Sequence, residues 1–160
     1  MKSSVVLGAL LCIASTSALS QTASKPRIEF VNLGGNDCPP CMAWRATELP
    51  KLQAMPEWKL VKFHYVTKAV PSPVPSAFFF PGEAKHLQPV LAAASNGWSG
   101  SPHQAIVVDG KVVDYWWGTE KSDPHQLAAM FRAIDEGKPL PREVCTQLHP
   151  NNRRQCNKAS

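Results

Sequence analysis

The segment Asp37-Cys38-Pro39-Pro40-Cys41 constrains this chain more than any other part of it. It lies where a strand-like, alternating run, Arg27 to Leu33 (RIEFVNL), hands over to a helical pattern. The handover passes through the loop Gly34 to Asp37, and the helix is predicted from Pro39 to about Met55. Proline suits the first helical turn: its fixed φ matches the helix, and the N–H it lacks would have no partner there. Cys38 is therefore expected at the helix start, where free backbone N–H groups and the helix dipole favour an anion. That lowers the thiol pKa and produces the thiolate, the reactive species. Cys41 is one turn further on, close enough to attack a mixed disulfide. The expected roles are Cys38 as exposed nucleophile and Cys41 as buried resolving thiol. A bond inside one helical turn closes a tiny loop and constrains little of the fold, which argues against a purely structural disulfide. Asp37 opposes thiolate formation by like-charge repulsion, and Pro39 and Pro40 each delete an N–H that could have donated to the sulfur. The expected Cys38 pKa is thus only moderately below that of a free thiol.

The first residues set the compartment. Lys2 is the only charge before Lys25, Val5 to Ala14 is apolar, and small residues lead to Ala18 and Ser20. This pattern predicts a secretory signal peptide over residues 1–20 and a periplasmic or secreted mature protein. The apolar stretch is too short to span a bilayer comfortably, so no membrane insertion of the mature chain is expected. Cys12 would leave with the signal. The remaining cysteines are Cys38, Cys41, Cys145 and Cys156. An even number in an exported chain suggests pairing. Three pairings are possible, and sequence distance favours Cys38 with Cys41 and Cys145 with Cys156. The net charge of +5 is spread out apart from Arg153 and Arg154. It lacks the dense basic face of a nucleic-acid binder.

The rest of the chain reads as alternating elements. Trp58 to Val66 alternates like a strand. Lys68 to Gly82 holds four prolines and the apolar run Phe78–Phe79–Phe80, and is expected to be irregular. Those phenylalanines are read either as core or as a substrate-contacting edge. Glu83 to Ser95 looks helical, with Pro89 expected to end or bend its first turn, and Pro50 is expected to kink or break the first helix. His103 to Val108 and Lys111 to Trp117 are strands joined by an Asp109–Gly110 hairpin turn. Trp116 and Trp117 cannot share a face, so one is expected buried and the other exposed. Asp123 caps a last helix with Pro124 at its first position. The tail from Leu140 is expected to be irregular, with Cys145–Cys156 closing a polar loop as a structural disulfide. This order predicts an α/β fold, a mixed sheet with helices on both faces. It also predicts one domain over residues 21–160, with a Pro-rich insert at 68–82 and a disulfide-stapled tail at 140–160.

With Ser101-Pro102 placed just before the strand pair, the pattern resembles the thioredoxin superfamily over about Arg27 to Gly137. Members place a cis proline there, beside the dithiol. The resemblance implies a thioredoxin-like fold and catalytic thiols at Cys38 and Cys41. It also implies client binding at Ser101 and Pro102, tuning of the helix start by Asp37, Pro39 and Pro40, and no cofactor or metal. The implied partners are proteins with disulfides or thiols and a second protein that recycles the dithiol. Two departures stand out. Members carry tryptophan where this chain has Asp37. They also bury an acid, which helps move the resolving thiol's proton, where this chain has Asn32, which cannot do that job; Glu29 lies three residues further back on the same strand. The reading is an exported thiol–disulfide oxidoreductase, acting as a reductant rather than a strong oxidant. The alternative is a metallochaperone or assembly module of the same fold that uses the thiols, with His103, as ligands.

Overall fold

The structure is a computed structural model and describes residues 24–157. The expected signal peptide at 1–20 lies outside the described residues. The first strand, β1 (Ile28–Gly34), is followed by helix α1 (Pro39–Gln53), a 3-10 turn at Pro56–Leu60 and β2 (Val61–Thr67). After the Pro-rich stretch come helix α2 (Gln88–Ser95), β3 (His103–Val108), β4 (Lys111–Trp117) and α3 (Pro124–Asp135). A short tail pair, β5 (Leu148–His149) and β6 (Asn152–Cys156), completes the order. The main sheet runs β2-β1-β3-β4. β1 and β2 are parallel, joined by the α1 crossover, whereas β3 is antiparallel to both β1 and β4.

Alternation along the strands divides the interior into two layers. Ile28, Phe30, Ile106 and Trp116 face α1 and α3, where Trp44, Leu52, Leu127 and Phe131 complete one core. Val31, Leu33, Ala105 and Tyr115 face the other way, toward Leu87, Leu91 and Ala94 of the α2 side. The arrangement is thioredoxin-like, a mixed sheet with helices on both faces. The β3–β4 turn uses Asp109 at φ 49° and Gly110 at φ 79°, the left-handed pair that a two-residue hairpin requires. Asp123 caps α3 through a 3.0 Å bond from Gln126 N–H. Among the described residues, no helix is long and apolar enough to cross a membrane.

Several local expectations are corrected. Pro50 lies inside α1 and does not end it. The helix runs only three residues further, and buried Leu52 anchors that last turn against the core. Met42 falls at helical spacing with Leu49 and Leu52, yet it is 43% exposed, and Trp44 takes the inward position. The strand expected from Trp58 starts at Val61, because Pro56 opens a 3-10 turn that carries Trp58. Pro89 sits in the first turn of α2, where it costs no hydrogen bond, and a separate 3-10 stretch, Gly82–Leu87, precedes it. A further 3-10 turn, Ala77–Phe79, interrupts the irregular segment. There Phe80 is buried, while Phe78 and Phe79 are 82% and 63% exposed. The tail is irregular from Leu140 to Gln147 as expected, but Leu148–His149 and Asn152–Cys156 then form the β5–β6 pair.

Candidate functional site

The end of β1 and the start of α1 build the site. Cys38 is the N-cap of α1, with Pro39 and Pro40 in the first turn. Its Sγ accepts the Cys41 backbone N–H at 3.3 Å, and its carbonyl accepts the Met42 N–H at 3.0 Å. Cys38 and Cys41 are joined in a disulfide. The expectation of an exposed Cys38 is corrected: it is 2% exposed and Cys41 is 0% exposed. The surface around them is formed by exposed Asp37, Pro39, Pro40 and Met42. A groove of about 490 Å³ opens beside Pro40, bordered by Thr47, Glu48, Glu120 and Asp123.

Three residues that the sequence reading passed over hold the loop in front of Cys38. The Gly34 carbonyl accepts the Tyr65 hydroxyl at 2.9 Å and the Lys68 backbone N–H at 3.1 Å. Arg45 stacks its guanidinium 4.5 Å from the Tyr65 ring centre and donates to Asn36 Oδ1 at 3.0 Å. Lys68 is only 5% exposed. Its ammonium donates to the carbonyls of Ala69 (3.3 Å), Ser72 (2.5 Å) and Gly100 (2.5 Å). Burial pulls its pKa down to about 8, and the nearby Asp37 carboxylate acts against that shift. Asp37 is therefore not an unopposed charge beside Cys38, as the sequence alone suggested. Nothing in the spacing of Lys68 announced this, since its partners are backbone carbonyls from two loops.

Ser101 and Pro102 lie in the loop that Lys68 reaches. Their peptide bond is cis, and both residues are buried. The Pro102 carbonyl accepts the Gly118 N–H at 2.9 Å. Gly100, at φ 108°, is confined by the indole of Trp117: a Cβ there would come within 2.8 Å of Nε1. Trp117 in turn lies under Arg153, whose guanidinium is 3.9 Å from the ring centre. It is half-buried rather than bare, while Trp116 is buried as one of the pair had to be.

Two other groups do not serve the dithiol. His103 faces the α2 side, 0% exposed, with Nδ1 2.7 Å from the Tyr115 hydroxyl. Burial, with Lys68 and Arg153 adding to it, depresses its pKa to about 3. A neutral ring on the far face cannot offset Asp37, and it does not join the thiols as a ligand. Glu29 also points to that face. Its carboxylate lies 3.1 Å from His64 Nε2, 3.2 Å from His86 Nε2 and 3.3 Å from Arg27 Nε. Arg27 fills this cluster with its own positive charge. Among the described residues, no set of three His, Cys, Asp or Glu side chains has the geometry to hold a metal ion.

No family model, curated protein or solved structure matches this chain.

Cys145 and Cys156 are also joined. Cys145 accepts the Tyr115 N–H through its carbonyl and donates its own N–H to Asp114 Oδ1 at 2.9 Å. Asp114 is fully buried and takes two bonds from Arg142, at 2.8 and 3.2 Å. The tail is thus laid along β4, an edge strand whose open hydrogen-bonding groups it covers.

Proposed function

We propose that this chain is an exported thiol–disulfide oxidoreductase that exchanges the Cys38–Cys41 pair with disulfides of client proteins. The observation that carries the reading is a disulfide across the first turn of α1, directly after β1. There the helix N-terminus favours the thiolate on Cys38. Export rests on residues 1–20 alone.

In the reducing direction the Cys38 thiolate attacks a client disulfide. One client sulfur leaves with the electron pair and takes a proton from solvent. Cys41 then attacks Cys38 Sγ, the bond to the client breaks, and the second client sulfur leaves as a thiol. Two electrons pass from the dithiol to the client, and a second protein must return them. An extended client segment reaches the site across Ser101 and along the groove beside Pro40. The Pro102 carbonyl is already spent on Gly118. The cover over the disulfide favours a client that brings an extended segment into the groove beside Pro40. Periplasmic or secreted location and a single domain over residues 21–160 belong to the same proposal.

The direction of exchange is tested by the reduction potential together with thiolate absorbance of a Cys41→Ala variant. The proposal expects a Cys38 pKa moderately below about 8.5 and a potential near the reducing end, toward about −270 mV. A strongly acidic thiol with a potential near about −120 mV would reverse the direction and keep the exchange chemistry.

A further inference from the structure

The sheet face beneath α1 carries buried polar groups with nothing to bond. Asn32 and Gln104 sit directly opposite each other on β1 and β3. Both are 0% exposed. Gln104 ends a directed chain of hydrogen bonds. Trp116 Nε1 donates to Ser122 Oγ at 3.2 Å, and Ser122 Oγ donates to Gln104 Oε1 at 2.8 Å. Gln104 Nε2 is left without an acceptor, and the Asn32 carboxamide has no partner for either its nitrogen or its oxygen. Unpaired amides in a core are costly, so two facing each other need a reason.

Gly34 brings in the third group. A Cβ on Gly34 would lie 3.1 Å from Cys41 Sγ and 3.3 Å from Asn32 Oδ1. The sulfur and the carboxamide therefore border one small space, which only glycine leaves open. We propose that Asn32 is a positioning residue for the resolving thiol: when the disulfide opens, its carboxamide turns an N–H toward the Cys41 sulfur and holds it as a thiolate. The inference rests on the exchange reaction proposed above.

In the mixed disulfide the held Cys41 thiolate attacks Cys38 Sγ, and the client sulfur leaves with the bonding electrons and a proton from solvent. Asn32 supplies a hydrogen bond and accepts no proton, so the Cys41 proton passes to water. The charged groups near the site are Asp37 and Lys68, with Arg45 beside Asn36 and with Glu48, Glu120 and Asp123 along the groove beside Pro40; Asp114 shares the sheet face further along β4, where Arg142 holds it. Glu29, His64 and His103 lie on the other face, and Phe30, Trp44 and Trp116 line the near side. Asn32 itself carries no titratable group, so it adds no second step to the Cys41 titration.

The test follows alkylation of Cys41, read on its own peptide, against pH in a Cys38→Ser background. Asn32→Leu should raise the Cys41 titration by about one unit, a roughly tenfold slower reaction near pH 7. Asn32→Asp should raise it as well and split it into two coupled steps. A folded Asn32→Leu protein with an unchanged Cys41 profile would overturn the proposal. Should that variant fail to fold, the side-chain amide resonances of Asn32 in the unaltered protein decide. They should shift on reduction of the Cys38–Cys41 disulfide, and resonances that stay in place would overturn the role. If the unaltered protein instead fails to reduce any client disulfide, the exchange reading falls, and the Cys41 titration still reports on Asn32.

Discussion

Lys68 Nζ donates to the Gly100 carbonyl across 2.5 Å, tying the segment after β2 to the loop that carries Ser101 and Pro102. The same ammonium holds Ser72 and faces Asp37, so one buried charge links the loop before Cys38 to the loop before β3.

That charge has a pH signature. The folded-state pKa of Lys68 lies near 8, below its ordinary value of 10.5. Between these values the unfolded chain binds more protons than the folded one, so this group makes stability rise with pH across that window. Below about pH 8 the folded protein carries the full cost of the buried ammonium. Denaturant midpoints of the unaltered protein and Lys68→Met, compared from pH 7 to 10.5, should show the difference moving steadily in favour of the unaltered protein. A difference that stays flat would show that Lys68 titrates as an ordinary surface lysine.

The tail disulfide acts on stability. Opening the Cys145–Cys156 loop releases chain entropy worth about 3 kcal/mol in the unfolded state. A Cys145→Ser/Cys156→Ser double variant should melt lower yet keep most of its disulfide-reducing activity. Loss of activity at unchanged stability would make this pair a relay instead.

Glu57, on the 3-10 turn before β2, accepts Arg132 Nε from α3 at 2.8 Å. This bond holds its carboxyl below the usual range. The stability it gives is complete above the ordinary carboxylate value and is lost as pH falls through the depressed one. Glu57→Gln should therefore lower Tm at pH 7, and the gap should close toward pH 3. A gap of equal size at both pH values would locate the effect in packing.

The legible parts of this fold are those written in local chemistry. The Asp109–Gly110 turn, the Asp123 cap and the Cys38–Pro39–Pro40 helix start each need particular residue types at particular positions, and each appears in the structure. Met42 is exposed because packing, not periodicity, decides which side of α1 is buried, and Pro50 is carried inside α1 within one turn of its end. The tail strands were missed because β5 is only two residues long and the pair lies along β4, a tertiary placement with no local pattern to announce it. The Cys38–Cys41 bond and the cis peptide before Pro102 could be read from the chain. Lys68 could not, since its partners are carbonyls far apart in sequence. Asn32 was visible only as a missing acid, and its pairing with Gln104 depends on the β1–β3 register.

If Cys38 is the attacking thiol, alkylation of the reduced protein near neutral pH should label it before Cys41. Preferential labelling of Cys41 would exchange the two roles.

The most direct measurement is reduction of insulin disulfides by the reduced protein, run beside its Cys38→Ser and Cys41→Ser variants. The account predicts turnover in the unaltered protein, none in Cys38→Ser, and a trapped mixed disulfide with client in Cys41→Ser. Equal activity in the unaltered protein and Cys38→Ser would contradict it.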